Sequence, residues 1–168
     1  MSITWQRVEH FECGGNLIFD KVVELGLEGI VSKRRQAPYR RGKNSDWLKT
    51  KNKQLVPYVI GGFEVGGSDI GFDLLLGYHD NGRLVYAGRA GLGFTRKHRA
   101  ELRRSLVAVL TDSCPFAAWS GRKVGIRWVE PSLVGVIAQG AWKGAGRLRE
   151  AVYRGLRDDI EAGQVAVE

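Results

Sequence analysis

The chain has 168 residues, of which 43% are hydrophobic, so it can hold one full domain plus a fragment, or two small domains. No apolar run reaches 18 residues and the start has no signal-peptide pattern, which predicts a cytoplasmic protein without a membrane partner. Cys13 and Cys114 are too few for a disulfide scaffold or a zinc site, and the three histidines have no ligand spacing. The net charge of +8 favours an anionic partner, because it is concentrated in one short segment.

The first predicted elements form a strand, a helix and a second strand. Residues 3–12 favour a strand, Asn16 is placed to cap the helix, and Gly26 is placed to end it in the left-handed conformation. The expected apolar face of the helix consists of Ile18, Val22 and Leu25. Residues 28–33 complete what resembles the tail of an α/β sheet, which needs neighbouring strands that about 50 residues cannot supply.

The positive charge is concentrated between Lys33 and Lys53. This segment has nine basic residues and one acid, Asp46, for a net charge of +8, and the rest of the chain balances at 17 basic and 17 acidic residues. A local excess of this kind is suited to binding an anion. Six of the basic residues are candidates for backbone contacts with a nucleic acid: Arg34, Arg35, Arg40, Arg41, Lys43 and Lys53.

A second basic pattern lies on the strand that begins near Trp47. Its period of two places Trp47, Lys49 and Lys51 on one face, where two ammonium groups form a fork suited to a phosphate. Glu28, at the start of the preceding strand, could supply an oxygen ligand for a divalent cation that bridges phosphate oxygens. The alternative is a basic hairpin whose lysines are only solvated.

From Leu55 onward the pattern predicts a mainly β domain. Strands are expected over 56–64, 71–78 and 83–90, with turns at 66–69 and at Asp80-Asn81-Gly82. Thr95 caps a predicted helix that runs to about Leu110. The basic face of this helix is interpreted as solvated in preference to a DNA contact; it consists of Arg96, Lys97, Arg99, Arg103 and Arg104.

Further strands are predicted after the loop that contains Phe116, over 124–129, 133–142 and 148–156. Three strands in a meander, a helix and then more strands is the order expected of a five-stranded oligonucleotide-binding (OB-fold) barrel. The expected fold is therefore mainly β, a five-stranded OB-fold barrel with one helix, preceded by a small α/β remnant.

Two motifs resemble those of a known family. Glu28-Gly29-Ile30-Val31-Ser32-Lys33 is similar to the fourth nucleotidyltransferase motif of ATP-dependent DNA ligases, and Trp47-Leu48-Lys49-Thr50-Lys51 is similar to the fifth. Their order and spacing look most like the ligase module of bacterial end-joining ligases of the ligase D type. Arg157 and Asp159 match the Arg-x-Asp-Lys of the sixth motif, but Ile160 stands where the family has lysine.

The resemblance implies that residues 1–54 are the end of a nucleotidyltransferase domain and that residues 55–168 are the OB-fold domain. It also implies ATP and Mg²⁺ as cofactors of the full enzyme and nicked duplex DNA as its partner, in the cytoplasm and near the nucleoid. Lys33, Lys49, Lys51, Arg154 and Arg157 would contact phosphates, and Glu28 would hold the metal.

One element of the family chemistry is missing from the sequence. The ligase nucleophile is a lysine in a Lys-x-Asp-Gly motif, and no lysine in these 168 residues is followed by x-Asp-Gly. We therefore expect no ligation by this chain alone and consider a separate catalytic ligase part as a partner. Two alternatives remain: a stand-alone nucleic-acid-binding module without catalysis, and the equivalent part of an RNA ligase or capping enzyme.

Overall fold

The computed structural model describes residues 10–12, 14–65, 72–121, 124–140, 148 and 150–166. It divides the chain into two compact units, Met1–Asn52 and Lys53–Glu168. The predicted turn at 66–69 and most of the predicted strand at 3–12 lie outside the described residues. The assignment of the two units to two ligase domains stays a prediction.

The first unit contains one helix and one hairpin. Helix α1 spans Gly15–Glu24, and strands β1 (Gly29–Lys33) and β2 (Trp47–Lys51) pair antiparallel. The predicted cap at Asn16 is wrong, because the N–H of Ile18 already bonds the carbonyl of Gly14 at 3.0 Å and the helix begins there. Gly26 follows the helix in the predicted left-handed conformation, with φ 62°.

The apolar face of α1 is smaller than predicted. Val22 is buried, but Leu25 is the residue that ends the helix and is 67% exposed. The base of the hairpin is instead closed by the buried Asn52, whose N–H bonds the carbonyl of Glu28 at 2.8 Å and whose side-chain amide bonds the carbonyl of Leu27 at 3.2 Å. Opposite Lys51, Gly29 has φ 150°, and a Cβ there would lie 2.8 Å from the Cα of Lys51. A residue with a side chain could not keep this pairing.

The second unit is mainly β, as predicted. Its elements are β3 (Lys53–Val65), β4 (Phe72–Asp80), β5 (Arg83–Ala90), α2 (Arg96–Ala108), β6 (Leu110–Thr111), β7 (Ile126–Gly140), β8 (Val152–Arg157) and a 3-10 turn (Ala162–Gln164). The antiparallel sheet has the order β5-β4-β3-β7-β6, and β8 pairs with β7. None of the helices in the described part of the chain is long and apolar enough to cross a membrane.

Several predicted features of this unit are confirmed. Asn81 and Gly82 form the tight turn between β4 and β5 with φ of 48° and 73°, and β5 has the predicted bounds. The hydroxyl of Thr95 accepts the N–H of His98 at 3.2 Å and caps α2. The helix ends at Ala108, two residues before the predicted end.

Two predictions for the later strands are wrong. The strands expected at 124–129 and 133–142 are one strand, β7, whose pairing with β3 is interrupted between Trp128, opposite Gly62, and Leu133, opposite Ile60. Pro131 lies in this unpaired stretch, where its missing N–H breaks no ladder bond. The barrel is also not closed: in the described residues β5 and β8 do not pair as strands, and just beyond β5 Leu92 makes an isolated parallel bridge with Val152 and accepts the N–H of Tyr153 at 2.9 Å.

The sheet of the second unit is covered on both faces. Along β3, Tyr58 and Ile60 belong to one core cluster and Val59 to another, as expected of alternating strand residues. Helix α2 covers the first cluster through Leu102 and Leu106. The loop residue Phe116 and the C-terminal Val165 cover the second cluster. Both faces of this sheet are therefore partly occupied by the chain itself.

Candidate functional site

The β1–β2 hairpin presents three lysines on one face. In the register, Lys33 lies opposite Trp47, Val31 opposite Lys49 and Gly29 opposite Lys51. Residues opposite one another share a face, and so do alternate residues of one strand. Lys33, Lys49 and Lys51 therefore form one surface, which we call the lysine face. The sequence predicted Lys49 and Lys51 together, and the register adds Lys33.

Two members of the lysine face have partners that an anion could replace. The Nζ of Lys49 lies 2.6 Å from the Oε1 of Glu28, with both side chains at least half exposed. The Nζ of Lys33 lies 4.1 Å from the centroid of the Trp47 ring. Exposed ion pairs and cation–π contacts contribute only about 0–1 kcal/mol each. A phosphate that brings two negative charges can compete with both contacts.

Glu28 does not hold a metal site by itself. Its carboxylate contacts Lys49, and the described residues contain no group of three or more histidine, cysteine, aspartate or glutamate side chains that could bind a cation. A divalent cation at Glu28 would take its remaining oxygen ligands from phosphate and water, as Mg²⁺ commonly does.

A basic loop, residues 34–46, connects the two strands and is fastened at its ends. The N–H of Arg34 bonds the carbonyl of Asp46 at 2.8 Å, and the guanidinium of Arg34 lies 3.5 Å from the Asp46 carboxylate. The Asn44 side chain accepts the N–H of Asp46 at 3.0 Å. These bonds hold Asp46, the one acid of the loop, against Arg34 at the point where the loop leaves the strands. The Asp46 side chain is only 15% exposed.

The remaining cations of the basic loop face solvent. Arg40, Arg41 and Lys43 are exposed, and Arg35 bonds the exposed carboxylate of Glu12 at 3.1 Å. Lys53 is also exposed but opens strand β3 in the second unit. Apart from Lys53, the basic residues predicted to contact a nucleic-acid backbone thus belong to one unit.

The candidates in the second unit lie on β8 and just beyond it. Arg154 is exposed beside the buried Tyr153. Arg157 donates two hydrogen bonds to Asp159, from Nε at 2.8 Å and from an Nη at 2.5 Å. This two-bond geometry suits a carboxylate or a phosphate equally well. Ile160, in the position where the family has lysine, is partly buried and packs against the second core cluster.

The Arg157–Asp159 pair gives a testable pH dependence. The hydrogen bonds from Arg157 lower the pKa of Asp159 from 3.8 to about 2. The pair should therefore be intact above the ordinary pKa of 3.8 and be lost as the pH falls through about 2. A carbon-detected NMR titration should give a midpoint near pH 2 for Asp159, and Arg157→Gln should move it towards 3.8. Arg154→Gln is the matched control and should leave it in place; a midpoint near 3.8 in the unchanged chain would contradict the pairing.

The exposed cations of α2 form a basic surface within the second unit. Lys97, Arg103 and Arg104 are exposed, and Lys97 is 3.9 Å from Glu101. Arg99 is half-buried, with its guanidinium carbon 6.0 Å from the Phe94 ring centroid. These contacts are compatible with a solvated helix face, and the choice of solvation over a DNA contact stays a prediction.

Sequence reasoning missed three features of the site. It gave no role to Asn52, which closes the hairpin, or to Asp46, which fastens the basic loop. It also missed that Tyr39 lies beside Trp47, with ring centroids 5.9 Å apart. In the sequence Asn52 and Asp46 look like ordinary loop residues. Their contacts, and that of Tyr39 with Trp47, form only when β1 and β2 pair.

Comparison with known proteins places the chain in a family. Residues 68–160 match the family described as the ATP dependent DNA ligase C terminal region. The multifunctional non-homologous end joining DNA repair protein LigD of Mycobacterium tuberculosis is 36% identical over 150 residues, which cover 85% of this chain and 20% of that protein. The LigD protein of Pseudomonas aeruginosa is 36% identical over 153 residues, covering 86% of this chain and 18% of that protein.

A solved structure gives the same result. The crystal structure of the ligase domain of M. tuberculosis LigD matches with a TM-score of 0.66 and 34% identity, over 92% of this chain and 52% of that one. The chain spans about a fifth of the length of the curated LigD relatives and about half of that ligase domain. Since the family match covers more than half of the sequence, the chain belongs to the family of the C-terminal region of ATP-dependent DNA ligases.

Proposed function

We propose that this chain is the DNA-binding C-terminal portion of an ATP-dependent DNA ligase that works in end-joining repair. The observation that carries the proposal is the lysine face, with three amines on one hairpin beside a loop of exposed arginines and lysines. Contacts from such groups to phosphates are electrostatic and largely independent of base sequence. The expected substrate is nicked duplex DNA, in the cytoplasm and near the nucleoid.

The first unit fits the phosphate end of ATP. Lys33, Lys49 and Lys51 are candidates to hold the phosphates, and Glu28 is a candidate ligand for Mg²⁺ once a phosphate has taken Lys49 from it. In the ligase reaction ATP supplies the adenylyl group. The residues that would grip adenine and provide the nucleophile are not identified among these 168 residues, since no Lys-x-Asp-Gly is present. That part would come from another segment or from a separate ligase polypeptide.

The packing of the second unit argues against a single-strand-binding module that would use the rings on this face of the sheet. Such modules stack bases on exposed aromatic side chains. Here Phe116 and Trp128 are buried, and Trp119 packs against both, with ring centroids 5.7 and 5.1 Å away. These rings stabilise the sheet and are not presented to a nucleic acid.

A salt titration tests the proposal. If about five cations engage phosphates, log affinity for duplex DNA should fall with log salt at a slope of roughly −4 to −5. Changing Lys49 and Lys51 together to alanine should flatten this slope by roughly two units and weaken binding on every DNA sequence. Fluorescence anisotropy with nicked and intact DNA duplexes and with an RNA duplex of the same sequence provides the measurement.

The control variant removes two cations from α2, Lys97→Ala with Arg104→Ala. Both side chains are exposed, so this change should leave the slope close to that of the parent chain. A slope near zero in the parent would refute phosphate binding, and equal flattening by both double variants would move the interface away from the hairpin. Stronger binding to the RNA duplex would favour the RNA ligase alternative. Circular dichroism should show that the Lys49 and Lys51 variant remains folded.

A further inference from the structure

We propose that the basic loop contains a stacking site for one unpaired base at a DNA end. The site is an open hollow, here called the Tyr39 hollow, lined by Tyr39, Arg40, Gly42, Lys43, Asn44 and Trp47. The inference rests on the proposed DNA-binding function and adds to it a preference for ends that carry an unpaired nucleotide.

The aromatic part of the hollow is unusually open to solvent. The Tyr39 side chain is 75% exposed and that of Trp47 is 42% exposed. Their ring centroids are 5.9 Å apart with an interplanar angle of 65°, so the two rings meet edge to face. This contact braces Tyr39 without stacking on it. A largely exposed ring that is braced at its edge is well suited to receive another flat ring.

The charged part of the hollow fits the backbone of the same nucleotide. Arg40 and Lys43 line the hollow and are exposed. Lys33 adds a third cation at 4.1 Å from the Trp47 ring centroid. The one acid of the loop, Asp46, is 15% exposed and lies 3.5 Å from Arg34, so its charge is largely offset. Aromatic rings next to uncompensated cations are the combination that binds single-stranded nucleic acid.

The geometry favours an unpaired base over a paired one. A base within a duplex has both faces covered, and the last base of a blunt end is held to its complement, whereas an unpaired terminal base can turn out of the stack and place a full face on Tyr39. Stacking on an aromatic side chain contributes to binding whichever base is present, because every base has a π face. The exposed phosphate-binding loop would then hold the duplex while Tyr39 holds its overhanging nucleotide.

The test compares two DNA duplexes that differ at one end. One is blunt, and the other carries a one-nucleotide overhang of the fluorescent base 2-aminopurine. We expect the full chain to bind the overhang duplex at least about fivefold more tightly and to quench its fluorescence. Tyr39→Leu should remove the preference and the quenching, and Tyr39→Phe should retain both. Phe11→Leu is the matched control, because Phe11 is a 69% exposed aromatic of the same unit that does not line the hollow.

Each outcome separates the two proposals. Equal binding of blunt and overhang duplexes by the parent chain would overturn the stacking site and leave phosphate binding intact. Failure to bind either duplex would overturn the proposed function itself. Tyr39→Leu could instead weaken binding of both duplexes equally, which would show that Tyr39 supports the loop as a whole. Phe11→Leu could have the same effect as Tyr39→Leu, which would show that any exposed aromatic of this unit contributes. Either result would also overturn the stacking site.

Discussion

Incubated with α-labelled ATP and magnesium, the purified chain should acquire no covalently bound AMP, and it should not seal a nick above background. Covalent catalysis needs an amine held in line with the α-phosphate while the adenine is fixed. Lys33, Lys49 and Lys51 lie on a hairpin face where they can contact phosphates, and none is followed by x-Asp-Gly. The lysines can still attract phosphates when the nucleophilic lysine is missing. The reacting atoms, however, are not held in position for attack on the α-phosphate.

A family ligase that contains the Lys-x-Asp-Gly motif serves as the positive control in the same assay. The readout is a label that stays on the denatured protein, resists base and is released by acid, as expected of AMP joined to an amine through a phosphoramidate bond. A label that is present on the parent chain and lost when one of Lys33, Lys49 and Lys51 is changed would contradict the prediction. It would mean that the chain carries a nucleophile outside the family pattern.

The elements that could be predicted from the sequence are those fixed by local signals. Thr95 caps α2, the Asn81-Gly82 turn joins β4 to β5, and the alternation on β2 places Lys49 and Lys51 together. Each of these depends on residues that are close in the chain. The same is true of the two ligase-like motifs, which coincide with β1 and β2.

The features that could not be predicted depend on distant partners. β7 was expected as two strands, 124–129 and 133–142, but pairing with β3 resumes beyond the interruption and makes it one strand. Helix α1 begins at Gly15, before Asn16. Gly14 occupies the N-cap position in a left-handed conformation, and no side chain caps the helix. For the site, the contact of Lys33 with Trp47 follows from the register of β1 on β2, and Lys49 reaches Glu28, which lies just before β1.

Phe116 provides the clearest case of such a long-range requirement. It lies in the loop before β7, is 5% exposed, and packs in the second core cluster. A Cβ added to Gly61 on β3 would lie 2.5 Å from its ring, and one added to Gly77 on β4 would lie 2.8 Å from it. Two glycines on neighbouring strands thus make room for one aromatic ring. In the sequence they resemble the glycines of any coiled strand or irregular loop.

Phe116→Ala should lower the free energy of unfolding of the second unit by about 3–5 kcal/mol, because it leaves a cavity in the covered sheet face. For a unit of this size the melting temperature should fall by roughly 10–20 °C. Val124→Ala, at a position that is 76% exposed, is the control and should change stability by less than about 0.5 kcal/mol. Thermal and denaturant unfolding followed by circular dichroism measure both. A loss no larger than that of the control would mean that the ring does not fill the core.

A double-mutant cycle then tests the shared space. Gly61→Ala alone should cost about 1–3 kcal/mol, because the new methyl group overlaps the ring of Phe116. Once Phe116 has been changed to leucine, the methyl group has more room. In this background the cost of Gly61→Ala should be smaller than in the parent chain by at least about 0.5 kcal/mol. The coupling arises only if the two groups compete for one volume. Additive costs would show that Gly61 is required for the course of β3 itself, whatever side chain the loop places against it.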